Sequence, residues 1–213
     1  MAVNPQQVRR VKSGRRVKRK KKKRVNGCFT FLIVLVLIVA AGVFVFNYYD
    51  TAKEDFYKMS YPREYSEYVE AAAEEYELEP ALIYAVIRTE SGFNAEANSP
   101  VGACGAMQIM PTTFEWLQQV RECEGTYTES DLYDPEINID YGSYLLRYFI
   151  DYYGTEQAAV AAYNAGFVVS EWLEDPQYSS DGVVLDEIPY PETSEYVKKV
   201  ESAKEKYIQL YYS

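Results

Sequence analysis

A chain of 213 residues is long enough for one domain with extensions, and 48% hydrophobic with 25% charged residues suits a packed core and excludes global disorder. It contains no histidine, which excludes Ser-His-Asp and Cys-His catalysis and any His-ligated metal. Acid–base chemistry therefore falls to carboxylates, Tyr, Lys or Cys. The formal charge of −10 hides a division: residues 1–26 hold 12 of the 22 Lys and Arg and no acid, so the remainder sets 10 basic residues against all 32 acidic ones.

Residues 1–27 form a basic tail that ends in the run KRKKKKR. Such a cluster would suit nucleic acid, but no fold or aromatic platform accompanies it. It reads as a topology signal that also touches anionic lipid, and no nucleic-acid partner is expected. Residues 28–46, CFTFLIVLVLIVAAGVFVF, carry no charge. At about 1.5 Å per residue they span roughly 28 Å, close to a hydrocarbon core. Basic residues precede this segment, and Asp50, Glu54 and Asp55 follow it. The positive-inside rule predicts a single-pass membrane protein with a cytoplasmic N-terminus and residues 47–213 outside. The rival is a signal peptide cut near Ala40-Ala41-Gly42. The apolar run outlasts a signal core, however, and continues through Val43–Phe46. Cys28 opens the segment, which misplaces it for a lipoprotein anchor.

Residues 47–62 look like a short spacer ending near Pro62, followed by one domain over 63–213. Tyr65–Leu78 has helical apolar spacing. Pro80 suits a first helical position, with an apolar helix to Ser91 and Gly92 where a C-cap glycine belongs. A loop of small and polar residues covers Asn94–Gly105. Further helices are expected from Pro111 to about Arg121, from Asp134-Pro135 to Gly154, over Glu156–Asn164 behind a Thr155 cap, and over Pro191–Tyr211. Between the last two lies a loop with Asp175-Pro176 and Asp181-Gly182. No strand-period stretch, internal repeat or long heptad seam is visible, so the class is mostly α.

Glu90 ends the most apolar of these helices. Burial beside Val86 and Ile87 disfavours its charged form, and so does the negative end of the helix dipole. Both effects raise its pKa, as a general acid for glycoside cleavage requires near neutral pH. Position alone does not separate this from an ordinary solvated glutamate at a helix end. Its companions are Ser91 to Phe93, then Ser99, Gly102, Ala103, Gly105, Met107, Gln108, Met110 and Pro111, then Ala162-Tyr163-Asn164-Ala165-Gly166, and last Glu192, Thr193, Tyr196 and Val197.

These four ordered segments resemble the catalytic domain of lytic transglycosylases of the soluble-transglycosylase type, in the goose-type lysozyme-like superfamily, over roughly residues 76–203. The resemblance implies a lysozyme-like helical fold without metal or organic cofactor. It implies that Glu90 is the single catalytic acid/base, that Ser99 carries a hydroxyl facing the reacting sugar, and that Met107, Gln108 and Met110 floor the glycan cleft. Tyr163 and Asn164 match a pair near the catalytic carboxylate, and Glu192 and Tyr196 a motif bordering the cleft. Ala106 departs from the family's usual Leu, which removes packing volume but no reacting group. Taken singly, the glycines need only turn the chain, and Met107 and Met110 need only fill a core. The 22 Tyr residues all follow the apolar segment; they suit carbohydrate stacking and equally suit ordinary core and surface roles.

The implied reaction is non-hydrolytic cleavage between N-acetylmuramic acid and N-acetylglucosamine in peptidoglycan. A lysozyme-like hydrolase on the same fold and a catalytically idle wall-binding part of an envelope-spanning apparatus stand as alternatives. Cys104 and Cys123 lie outside the membrane, where disulfides persist, so either a bridge or two free thiols is open.

Overall fold

The computed structural model describes residues 27–213; the basic tail lies outside the described residues. The chain divides near Thr51 into two compact units. The first helix, α1, runs Gly27–Ser60. Every large apolar side chain of its Phe29–Phe46 stretch is exposed. This helix, apolar on all sides and covered by none of the other described residues, is long and apolar enough to cross a membrane. The spacer expected over 47–62 is helical as far as Ser60. No Gly or Pro interrupts it, Lys58 pairs with Glu54 one turn earlier at 2.6 Å, and Pro62 stands just beyond its end.

The unit from Ala52 onward is helical. Its further helices are α2 (Ser66–Glu75), α3 (Pro80–Glu90), α4 (Pro111–Val120), α5 (Pro135–Tyr153), α6 (Glu156–Ala165), α7 (Val169–Glu174) and α8 (Pro191–Tyr207). Four of them, α3, α4, α5 and α8, begin on proline, whose fixed φ suits a first turn that needs no N–H partner. The Asp134 carboxylate accepts from the Glu136 N–H at 2.9 Å and caps α5, and Thr155 accepts from the Ala158 N–H at 3.3 Å and caps α6. Helix α7 falls where only loop was expected, and α8 gives way after Tyr207 to a wider turn over Ile208–Tyr212 instead of running regularly to Tyr211. Among the described residues there is no strand, only isolated bridges of Cys104 with Asn98 and with Ile109.

Helix α3 is the centre. Seven consecutive residues, Ala81 to Ile87, are buried, so every face of the helix meets protein. It packs on α2 and most extensively on α8, while α5 packs on α2 and α6. Several tyrosines are core residues: Tyr84, Tyr141 and Tyr207 are fully buried. Tyr84 and Tyr207 stack at 5.2 Å, and the Tyr207 hydroxyl donates to the Pro62 carbonyl at 2.9 Å, which satisfies it.

The loop between α3 and α4 is fixed by one buried side chain. Asn138 on α5 accepts from the Met107 N–H at 2.7 Å and donates to the carbonyls of Cys104 at 3.0 Å and Leu132 at 2.8 Å. Gly105 must be glycine there: its φ is +80°, and a Cβ would lie 2.1 Å from the Leu132 oxygen. The bridge left open between Cys104 and Cys123 is not formed; both thiols are free. Each sulfur is engaged elsewhere. The Tyr133 hydroxyl donates to Cys104 Sγ at 3.4 Å, and Cys123 Sγ lies 3.3 Å from the Tyr141 hydroxyl.

Gly142 gives a test of this packing. Gly→Ala inside a helix ordinarily stabilises by up to about 1 kcal/mol. Here a Cβ would sit 2.5 Å from Met107 Sδ and 2.9 Å from Met107 Cβ. Gly142→Ala is therefore expected to destabilise, by about 1–3 kcal/mol, in denaturant unfolding of the full chain. A gain in stability would show that Met107 is free to move away.

Candidate active site

The C-terminal end of α3 places Glu90 against α8. The Tyr196 hydroxyl donates to Glu90 Oε1 at 2.7 Å, a contact between residues 106 apart in sequence. Burial raises the Glu90 carboxyl from its ordinary 4.5 to about 7, and the Tyr196 hydrogen bond opposes that rise without cancelling it. No neighbouring carboxylate is among the causes, so dryness and not charge repulsion holds the proton. Burial and then the Glu90 charge push the Tyr163 phenol well above its ordinary value of 10, and the same two causes lead for Tyr196. Both tyrosines stay neutral donors beside a group that titrates near neutrality.

Three hydrogen bonds tie together the segments around Glu90 and Tyr196. The Tyr163 hydroxyl, from α6, donates to the Met107 carbonyl at 2.9 Å. The Ser91 hydroxyl, one residue beyond Glu90, donates to the Ala106 carbonyl at 2.7 Å. Thr193 at the start of α8 donates to Asn164 Oδ1 at 2.7 Å. Helices α3, α6 and α8 and the glycine loop thus converge on one carboxyl group. The arrangement supplies one protonatable acid and two neutral phenols, and among the described residues no cluster of three or more His, Cys, Asp or Glu suits a metal.

The model of the transglycosylase SLT domain family matches residues 67–181, more than half of the chain. The chain belongs to that family. The soluble lytic murein transglycosylase of Escherichia coli K12 is 38% identical over 127 residues, covering 58% of this chain and 20% of the relative. The membrane-bound lytic murein transglycosylase C of Actinobacillus pleuropneumoniae serotype 5b is 31% identical over 170 residues, covering 70% of this chain and 47% of that one. The solved structure of an inactive glutamate-to-glutamine mutant of lytic transglycosylase Slt from Pseudomonas aeruginosa superposes with a TM-score of 0.62 at 29% identity, over 71% of this chain and 25% of that one. The chain therefore spans a fifth to about half the length of these relatives, and the shared part is a lytic transglycosylase catalytic domain with the lysozyme-like helical fold.

Within the unit from Ala52 onward the structure joins some of the sequence-derived residues and separates others. Glu90, Tyr196 and Tyr163 form the centre. Asn164 is exposed and tied to Thr193. Met107 is fully buried against Gly142, so it bears on the site through its carbonyl and from behind. Gln108 is half-buried, and its amide donates to Ala97 and Gly105 carbonyls within its own loop, at 3.2 and 2.9 Å. Ser99 accepts from the Ala103 N–H at 2.9 Å, and half-buried Met110 stands just before the first turn of α4 without a side-chain capping bond. Glu192 is exposed in the first turn of α8 and bonds none of these groups. Ser91 and Thr193 stand in the sequence motifs without an assigned role, and Asn138 was not singled out from sequence. Asn138 did leave a signal: it is a polar residue on the buried stripe of α5 that includes Gly142, Leu145 and Phe149.

The raised pKa of Glu90 makes stability depend on pH. Between about 4.5 and about 7 the folded chain holds this proton more tightly than the unfolded chain. The contribution is therefore full below pH about 4.5 and is lost as pH rises through about 7. Glu90→Gln, which still accepts from Tyr196, removes the titration. The variant should exceed the wild type by about 1–3 kcal/mol at about pH 8, with the difference vanishing toward pH 4. Parallel denaturant titrations across that range read it, and a pH-independent difference would mean that Glu90 is solvated.

Proposed function

We propose that this domain cleaves the peptidoglycan glycan strand between N-acetylmuramic acid and N-acetylglucosamine without adding water, with Glu90 as both acid and base. The observation that carries the reading is a solitary carboxyl whose burial lifts it to about 7. A hydrolase on this chemistry ordinarily uses two carboxyl groups, about 5–5.5 Å or about 6.5–9.5 Å apart. The aspartates available for the second role are engaged elsewhere. Asp131 accepts from the Thr128 N–H at 2.6 Å, Asp134 caps α5, and Asp140 is held by Arg121 at 2.6 Å and by the Tyr76 hydroxyl.

The step then runs on one residue. Glu90 donates its proton to the glycosidic oxygen as the bond from that oxygen to the muramic-acid C1 breaks. Charge developing at C1 is met by the sugar's own N-acetyl carbonyl oxygen. The C6 hydroxyl attacks C1 and gives its proton to Glu90, which returns to its starting state. The product ends in a 1,6-anhydro ring and is lighter by one water than a hydrolysed end. Tyr196 holds the carboxyl in place, and Tyr163 braces the glycine loop beside it. Ser99, Gln108, Met110 and Asn164 line the glycan path in this reading, and Glu192 borders it. The inactive glutamate-to-glutamine relative supports a glutamate as the essential group.

The reading includes residues 28–46 as a membrane anchor. Twelve basic residues precede it and the acidic domain follows, an asymmetry that supports a cytoplasmic tail and an external SLT domain. Protease added to intact protoplasts should then digest the chain beyond about residue 47 and spare the tail. A protected C-terminal domain would reverse the orientation.

Digestion of purified peptidoglycan in oxygen-18 water tests the reaction. Mass analysis should find anhydro ends without the label, and Glu90→Gln should lower product release by about 10²–10⁴-fold while retaining glycan binding. Labelled reducing ends would leave the hydrolase reading standing. Binding without any released fragment from the wild type would leave the idle wall-binding role.

A further inference from the structure

The unit from Ala52 onward has a second feature that the proposed reaction does not use. A cavity of about 510 Å³ lies between α3 and α8 and is lined by Tyr61, Arg88, Thr89, Lys198, Lys199 and Ser202. Neither Glu90 nor its two tyrosines belong to it. The cavity wall has three cations and no acid. That stands out in a region with 10 basic and 32 acidic residues, where acids outnumber cations about three to one.

The ion pairs sharpen the contrast. Among the described residues, Lys58, Arg63, Arg121, Arg147 and Lys204 pair with carboxylates. Lys53, Arg88, Lys198, Lys199 and Lys206 pair with none, and three of these five meet in this cavity. Partners at suitable spacing exist on α8 itself. Glu195 precedes Lys199 by four residues and Glu201 follows Lys198 by three, spacings that favour ion pairs, yet neither pair forms. The Arg88 guanidinium carbon lies over the Tyr61 ring, 4.0 Å from its centroid. That contact holds the side chain at the cavity wall and leaves guanidinium N–H donors for an oxyanion. The Ser202 hydroxyl adds a donor. The Thr89 hydroxyl does not, since it donates to the Ala85 carbonyl at 2.7 Å.

We infer that this cavity between α3 and α8 binds a phosphate group, held by Arg88, Lys198, Lys199 and Ser202. A carboxylate offers two oxygens and one charge; three cations and a hydroxyl match the larger charge and oxygen count of a phosphate. The volume leaves room for the polyol or sugar that carries it. The wall shows no exposed apolar residue that would insert into lipid, so a ligand in solution or on a wall polymer suits it better than a membrane surface. None of the three cations is among the causes of the Glu90 shift. The inference stands whether or not the proposed reaction is right.

The test uses the full chain in nanodiscs of zwitterionic lipid at low ionic strength, where screening is weak. Inorganic phosphate and a short glycerol-phosphodiester oligomer are titrated calorimetrically. Saturable one-to-one binding is expected for at least the oligomer, weakened at least tenfold in the K198Q/K199Q double variant. Both lysines are exposed, so the core remains intact, and an unchanged thermal midpoint checks this. Arg88→Lys keeps the charge but loses the fork and should weaken binding as well. Lys53→Gln, an unpaired cation outside the cavity, should not. A tighter oligomer points to a phosphodiester polymer, and equal affinities point to free phosphate. Equal affinity in the double variant overturns the inference. So does non-saturating binding, or association that appears only with anionic lipid vesicles.

Discussion

The structure depends on taking one helix out of water on every side and ending it in a carboxylic acid. Helix α3 has no solvated face along Ala81–Ile87, and its half-buried last turn carries Glu90 to the edge of the core, where burial still raises its pKa. Its partner is α8, and the contacts run in opposite chain directions. Tyr84 stacks on Tyr207, Arg88 faces the cavity shared with Lys198 and Lys199, and Glu90 meets Tyr196. The two helices are therefore antiparallel. A single packed interface supplies core stability at one end and the titrating group at the other. Substitutions along this seam that alter its spacing act on both, because the Glu90 pKa is set by how completely the two helices exclude water.

The second support is polar. Asn138 is buried, yet three bonds to the backbone satisfy it. Such a side chain adds little net stability, but leaving its partners unmatched costs about 1–3 kcal/mol for each buried group. Its effect is to select one conformation for a glycine-bearing loop that would otherwise have many. Tyr163 and Ser91 then attach that loop to α6 and to the residue after Glu90. The carboxyl thus faces a wall fixed from three directions.

Most of the helical framework could be read from sequence because its signals are local. Prolines at first turns, Asp134 and Thr155 as caps and Gly154 after α5 act within a few residues of themselves. Six-residue α7 has no side-chain cap and too few turns to establish a period, so it escaped notice. The helical continuation to Ser60 was missed because a polar stretch after an apolar one resembles a linker, although nothing in it breaks a helix. At the site, Glu90 was legible from its helix and its motifs. Its bond to Tyr196 was not readable from periodicity, since tertiary packing joins positions 106 apart, and only the ordered motifs put both residues in one place. The free thiols likewise depended on which tyrosine each sulfur met.

The distribution of charge completes the account. With 32 acidic residues beyond the tail, repulsion from neighbours would be an obvious way to raise a carboxyl pKa. That route would make the acid sensitive to salt, because ions screen exposed charges within about 10 Å at ordinary ionic strength. Glu90 uses the other route. Burial is the cause, the only opposing influence is a neutral phenol, and no carboxylate contributes. The surplus acids remain where they repel one another and the solvent screens them, while the unpaired cations Arg88, Lys198 and Lys199 gather on the flank of the same helix pair. A domain with this layout combines an acidic surface with one cation-lined cavity, and the proton of its buried carboxyl answers to packing and to one phenol.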